Sequence, residues 1–154
     1  LSPETRYLRF FAHKGALTDR EARALTDLDG REALALGAIG APGTRTEGIP
    51  MGVARFSRAG PSVAEAAVVV VDAFQGRGLG LELLRRLGAA AAERGFRTLC
   101  FTTLADNHAL RRLVKKAFLQ VESGPSEEGA LTLRARLLDA PEPESRPAPA
   151  PSAI

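Results

Sequence analysis

Residues 68 to 87, "VVVVDAFQGRGLGLELLRRL", place the tightest constraint on what this chain can fold into. Four successive valines, stiff at χ1, favour an extended strand. Gly76, Gly78 and Gly80 follow at alternate positions, and then Leu79, Leu83, Leu87 and Ala91 recur every four residues as one face of a helix, with Glu82, Arg85 and Arg86 turned away. A strand that passes through a glycine turn directly into a helix, with another apolar run at 96–104, reads as a right-handed crossover between parallel strands. The chain is therefore expected to be α/β, with a mixed sheet.

The flanking sequence fills in the rest. Ser2, Pro3 and Glu4 make a helix start, and Thr18 with Glu21 forms a capping box for a second helix ending about Asp27. "EALALGAI" (32–39), "IPMGVARFSR" (49–58) and "VAEAAVVVV" (63–71) read as strands, the last apolar enough to be central and covered on both faces. The glycine-led helix should stop near Gly95, a natural C′ residue. "FRTLCFTTL" (96–104) reads as a buried strand, "DNHALRRLVKKA" (106–117) as an amphipathic helix, and "FLQVES" with "ALTLRARLL" as a closing hairpin across "GPSEEG". One domain is expected over residues 1–138. The segment 139–154 holds five of the ten prolines and almost nothing apolar, and is expected to be a disordered tail.

Composition narrows the function classes. No apolar run approaches the ~20 residues that cross a bilayer, and no secretory signal opens the chain, so no membrane partner is expected. Cys100 stands alone, which excludes an internal disulfide and a multi-cysteine metal centre and fits a reducing cytoplasm. The net charge is only +3, and the paired cations Arg85/Arg86, Arg111/Arg112 and Lys115/Lys116 have no interleaved aromatics to stack on bases. They read as solvated helix faces, and no nucleic-acid partner is expected. The chain begins without a methionine or an opening strand, as a domain cut from a larger protein or one missing an N-terminal segment would.

Gln75-Gly76-Arg77-Gly78-Leu79-Gly80 lies where a strand hands over to a helix. Free amides at a helix start, with the positive end of its dipole, make an anion site, and glycines let phosphate oxygens approach the backbone. The spacing is neither the dinucleotide G-x-G-x-x-G nor a nucleotide-hydrolysing P-loop. From the residues alone, a phosphorylated cofactor and a plain tight turn both remain open.

The same six residues resemble the Q/R-x-x-G-x-G/A signature of the GNAT acyltransferases. "LSPETRYLRFF" together with "AEAAVVVVDAFQGRGLG" is similar to the acetyltransferase domain of bacterial protein-lysine acetyltransferases. The resemblance implies acetyl-CoA as cosubstrate, with pyrophosphate on Gly76 to Leu81 next to Gln75. It implies pantetheine along Val68, Val69 and Val70, where the strand splays from its neighbour at a bulge. It implies a cofactor contact at Asn107, which as a residue reads equally well as a helix cap. It also implies a mostly antiparallel sheet with a splayed parallel pair, helices on both faces and an opening strand that is missing here.

Acyl transfer to an amine needs a base, because free lysine has a pKa near 10.4. Glu65, in the "AE" of the motif, is the candidate, and its apolar neighbours Val63, Ala64, Ala66 and Ala67 are expected to raise its pKa by desolvation. A glutamate on a strand edge in solvent is the plainer alternative. A strand amide near Val68 would polarise the thioester carbonyl. His13 and His108 lack recognisable partners, and Cys100 reads as core. Two positions depart from the family: Val114 stands where many members carry a tyrosine acid, and Ala117-Phe118-Leu119 replaces Leu-Gly-Phe. The expected activity is an acetyl-CoA-dependent N-acetyltransferase of protein lysines acting through a ternary complex. A small-molecule or N-terminal amine acetyltransferase and a silent CoA-binding regulatory module are the alternatives. An attached regulatory or acyl-CoA synthetase-like domain is a further possible partner.

Overall fold

The computed structural model describes residues 1–10, 18–125 and 129–137. Helices α1 (Pro3–Phe10) and α2 (Asp19–Thr26) precede strands β1 (Ala33–Ile39), β2 (Pro50–Arg58) and β3 (Val63–Val70). A single 3-10 turn (Asp72–Phe74) leads to α3 (Leu79–Glu93), followed by β4 (Thr98–Leu104), α4 (His108–Ala117), β5 (Gln120–Pro125) and β6 (Ala130–Arg136). The sheet order is β1-β2-β3-β4-β6-β5, and every neighbouring pair is antiparallel except β3–β4. This is the mixed α/β architecture expected from the order of apolar runs. His13, the turn residues 126–128 and the proline-rich segment 139–154 lie outside the described residues.

One face of the sheet builds the core. Ala54, Phe56, Ala64, Ala66, Leu99, Phe101, Leu133 and Ala135 are buried there with Leu83, Leu84 and Leu87 of α3 and Val114 of α4. The leucine stripe of α3 is thus its packing face, and the helix ends as expected, with Gly95 at φ +82° and the Phe96 amide donating back to the Ala91 carbonyl at 3.1 Å. Phe56 and Phe96 meet edge to face with centroids 5.2 Å apart.

The other face is polar. Ser57, Glu65, Cys100, Arg134 and Glu122 lie in register as one row across five strands. Helix α1 packs against β3 and β4, and Arg9 comes within electrostatic reach of Arg55 and Glu65. Helices therefore flank both faces. The expectation that β3 is covered on both faces is corrected here: Ala64 and Ala66 are buried, Glu65 between them is exposed, and Val68 to Val70 are only half-buried.

The N-terminus of α1 is capped as its sequence predicts. The Ser2 hydroxyl accepts the Thr5 amide at 3.1 Å, and the Ser2 carbonyl accepts the Arg6 amide at 3.0 Å. For α2, the Thr18 carbonyl accepts the Ala22 amide at 2.9 Å; the Glu21 side chain of the expected capping box lies outside the described residues.

Phe118 takes the place of a helix-ending glycine by filling a gap that Gly88 leaves. A Cβ on Gly88 would lie 2.7 Å from Phe118 Cε1, and the Phe118 ring also faces Phe101 at 6.2 Å.

Candidate active site

β3 and β4 pair only through Val63–Thr98, Ala64–Leu99 and Glu65–Cys100, after which the two strands part. The β2–β3 ladder runs without a register shift from Arg58–Ala64 to Gly52–Val70. The expected bulge is therefore absent from that ladder, and the splay comes from β4 leaving β3. Backbone directions follow from two bonds: the Val71 amide donates to Met51 of β2 at 2.8 Å, and the Val63 carbonyl accepts from Ala59 on the same side at 2.9 Å. Alternation along a strand then turns the Ala66 carbonyl and both backbone groups of Val68 toward the gap beyond the last β4 pairing, while the Val70 carbonyl on the same side accepts from Gln75 Nε2 at 3.0 Å.

The gap opens into a cavity of about 440 Å³ that runs from the strands to the glycine loop. Val68, Val69 and Val70 line it, as do Gln75, Gly76, Gly78, Leu79, Gly80, Leu81 and Asn107. The sequence-derived cofactor residues are brought together, with one exception. Arg77 is exposed and outside the lining, its guanidinium carbon 5.8 Å from the centroid of the Phe74 ring.

The three glycines have different reasons to be glycine. Gly76 and Gly78 hold φ of +71° and +83°, and a Cβ on either would meet no protein atom within 4 Å. They are required by the backbone and leave open space over the loop. A Cβ on Gly80 would lie 3.0 Å from Leu113 Cδ2 and 3.6 Å from Val70 Cγ2, so Gly80 lets α3 pack against α4 and β3 instead of exposing backbone. The Glu82 amide bonds to the Gly78 carbonyl at 3.1 Å. The amides of Leu79, Gly80 and Leu81 belong to the first turn, where a helix supplies no acceptor of its own.

Gln75 acts on the protein itself: its Nε2 donates to the Val70 carbonyl at 3.0 Å, fastening the loop to the end of β3. Asn107 is buried and caps α4, its Oδ1 accepting the Leu110 amide at 3.1 Å. It also lines the cavity, so the cap and the position expected of a cofactor contact coincide.

Glu65 sits at the last paired step before the strands part. Of the four apolar neighbours named from sequence, Ala64 and Ala66 point to the opposite, core face, whereas Val63 and Ala67 alternate onto the side of the strand where the Glu65 side chain is exposed. Glu65 is not part of the cavity wall, although the next residue, Ala66, and Arg9 are. Burial lowers the pKa of Arg9, Arg55 adds to this, and Glu65 opposes it. Cys100 is not in the core as expected: Leu99 and Phe101 are buried there, and Cys100 alternates onto the polar face. It is half-buried, and burial pushes its thiol above the usual value, with Arg134 opposing and Glu65 adding. His108 is exposed at the start of α4.

Sequence reasoning missed Thr5, Leu8 and Arg9 of α1, Phe74, Thr102, and Leu110, Leu113 and Lys116 of α4, all in the cavity wall. Asp72 joins α1 to the loop: it accepts the Ser2 amide at 2.8 Å and the Thr5 hydroxyl at 2.7 Å. The Thr5 hydroxyl, then the Ser2 hydroxyl and amide, hold the Asp72 carboxyl well below the usual carboxylate range. The two sequence motifs are thus in direct contact, through residue pairs 70 and 67 positions apart. Among the described residues no three His, Cys, Asp or Glu side chains gather as a metal site, and no helix is long and apolar enough to cross a membrane.

This geometry has close counterparts. Residues 6–118 match the profile of the acetyltransferase (GNAT) family. The acetyltransferase PA5475 of Pseudomonas aeruginosa is 31% identical over 115 residues, which take in 73% of this chain and 60% of that protein. Among solved structures, the GNAT domain of S. lividans PAT superposes with a TM-score of 0.78 at 29% identity, over 89% of this chain and 79% of that one. The GNAT superfamily phosphinothricin acetyltransferase from Sinorhizobium meliloti, in complex with acetyl-CoA, shares the fold at a TM-score of 0.69 and 14% identity, over 88% of this chain and 80% of that one. With the family profile spanning β1 to β4, the loop and α4, this chain belongs to the GNAT acetyltransferase family.

Proposed function

We propose that this chain transfers an acetyl group from acetyl-CoA to a primary amine, and that the amine is a protein lysine side chain. The observation that carries the transfer is the three-step β3–β4 ladder opening into a cavity that ends on the glycine loop. The lysine reading is supported by the two linked motifs and by the likeness to the S. lividans PAT domain. The single thiol, Cys100, agrees with a cytoplasmic setting.

The residues present fit the cosubstrate. A Cβ at Gly76 or Gly78 would project into open space, so the loop offers bare backbone to a diphosphate, aided by the amides of the first turn of α3. The Ala66 carbonyl and the backbone of Val68 offer hydrogen-bonding groups to the amides of a pantetheine arm, as a paired strand would. When bound there, acetyl-CoA supplies an acyl group already activated as a thioester.

The chain's own groups do the remainder. The Val68 amide, facing the gap, donates a hydrogen bond to the carbonyl oxygen as charge develops on it. Glu65 takes the proton that the attacking amine must lose, through one water, because its carboxylate is exposed and stands beside the cavity wall. α1 closes the α1 side of the site with Thr5, Leu8 and Arg9.

A second reading, a module that binds CoA without turnover, is favoured by Val114: it is fully buried in the core, so position 114 offers no acid to the departing thiolate. Free-thiol release from acetyl-CoA separates the readings. Release that depends on lysine-bearing protein supports the proposal. Release with small amines alone moves the substrate class, and binding without release favours the silent module.

A further inference from the structure

The segment at and after the α4 cap gives the cavity Asn107, Ala109, Leu110, Leu113 and Lys116. Asn107, Leu110, Leu113 and Lys116 form a stripe of three-residue steps in which each side chain neighbours the next while the stripe winds round the helix. The stripe begins with an amide, continues apolar and ends on an ammonium group. Leu113 lies against Gly80, so the helix carrying Lys116 is seated on the first turn of α3, beside the loop amides.

Arg9 and Lys116 are the two cations in the cavity wall. Arg9 belongs to α1 and lies in the field of Arg55 and Glu65. Lys116 stands on α4, exposed, and among the described residues no carboxylate pairs with it. On the neighbouring helix, by contrast, Arg86 is engaged by Glu82 at 2.7 Å.

The loop amides and the helix dipole contribute only about half a unit of positive charge. A ligand that carries a diphosphate and a separate phosphomonoester brings several negative charges, the monoester alone about −1.5 to −2 at neutral pH. A formal cation near the loop has to meet that excess, and a lysine on a flexible stem suits a terminal phosphate as a point charge.

We infer that Lys116 binds the 3′-phosphate on the ribose of CoA and makes the site select CoA over 3′-dephospho-CoA. The inference rests on the CoA reading above and goes beyond it by assigning a specificity-determining residue on α4. Lys115, the next residue and also exposed, lies outside the cavity wall and has no such role.

Calorimetric titration of CoA and 3′-dephospho-CoA into wild type, Lys116→Gln and Lys115→Gln tests this. Wild type should prefer CoA by about tenfold, in the range of one charge-assisted contact at an exposed site. Lys116→Gln should remove the preference by weakening CoA while leaving 3′-dephospho-CoA unchanged, and Lys115→Gln should keep it. Equal wild-type affinities, a preference that survives in Lys116→Gln, or an equal loss for both ligands in that variant would each overturn the inference while the CoA reading stands. Binding of neither ligand to wild type would remove the CoA reading and the inference with it.

Discussion

At Glu65 two requirements meet on one carboxylate: it has to lie where the strands part, and it has to accept a proton. Register supplies the first, because Glu65 faces Cys100 at the last paired step. Its exposed side chain, beside the cavity wall, leaves room for the water that relays the second. Glu65→Gln keeps the shape and removes the base. Transfer should slow by about 10²-fold, within the range for general-base catalysis, while calorimetry finds CoA binding unchanged; an unchanged transfer rate removes Glu65 from the mechanism. Asp72 gives a pH prediction with a definite sign. Its folded pKa is lowered, so the hold of α1 on the loop is complete above the ordinary carboxylate value and is lost as pH falls through the lowered one. Hydrogen exchange in α1 should be faster in Asp72→Asn than in wild type by a factor that stays constant from about pH 8 to 5 and shrinks only below about pH 3.9. A factor already shrinking between pH 7 and 5 contradicts this account of the clamp.

Among the elements, the strand–loop–helix unit was legible because each part carries a local signature: β-branched residues for β3, glycines at φ +71° and +83°, a four-residue apolar period for α3. The parting of β3 and β4 was legible only through family resemblance, since a missing ladder leaves no mark on either strand. The Phe118–Gly88 contact was not legible at all, because a ring and the gap it fills lie thirty positions apart in the chain and meet only through packing. That contact predicts a coupling. Gly88→Ala puts a methyl against the ring, where overpacking costs about 1–3 kcal/mol and helix propensity returns about 1 kcal/mol. Chemical denaturation should show a net loss of about 1 kcal/mol, the difference of those two terms. In a Phe118→Leu background the same substitution should cost less, since the ring edge is gone. Equal costs in both backgrounds would mean that the ring and the glycine are not coupled.

For the molecule as a whole, one face of the sheet is committed to stability and the other to chemistry. The buried cluster of Phe56, Phe96, Phe101, Leu84 and Leu87 holds the α3–α4 face together, while the row from Ser57 through Glu65 to Arg134 leaves polar groups under α1. The cavity lies where the two faces meet at the open end of the parallel pair. Its walls from α1 and α4, including Thr5, Arg9 and Lys116, could not be read from sequence, because helix faces that line a cleft have the same composition as helix faces that meet water. The loop could be read, because its backbone demands glycine. The central claim is that bare amides between β3 and α3 hold the diphosphate of acetyl-CoA. Titration calorimetry of acetyl-CoA into wild type and Gly78→Glu tests it most directly, since a carboxylate at that position would stand against the phosphates. The account predicts saturable heat for wild type and none for the variant, with both folded by circular dichroism; a wild type that gives no heat at millimolar acetyl-CoA, or a variant that binds as tightly, would contradict it.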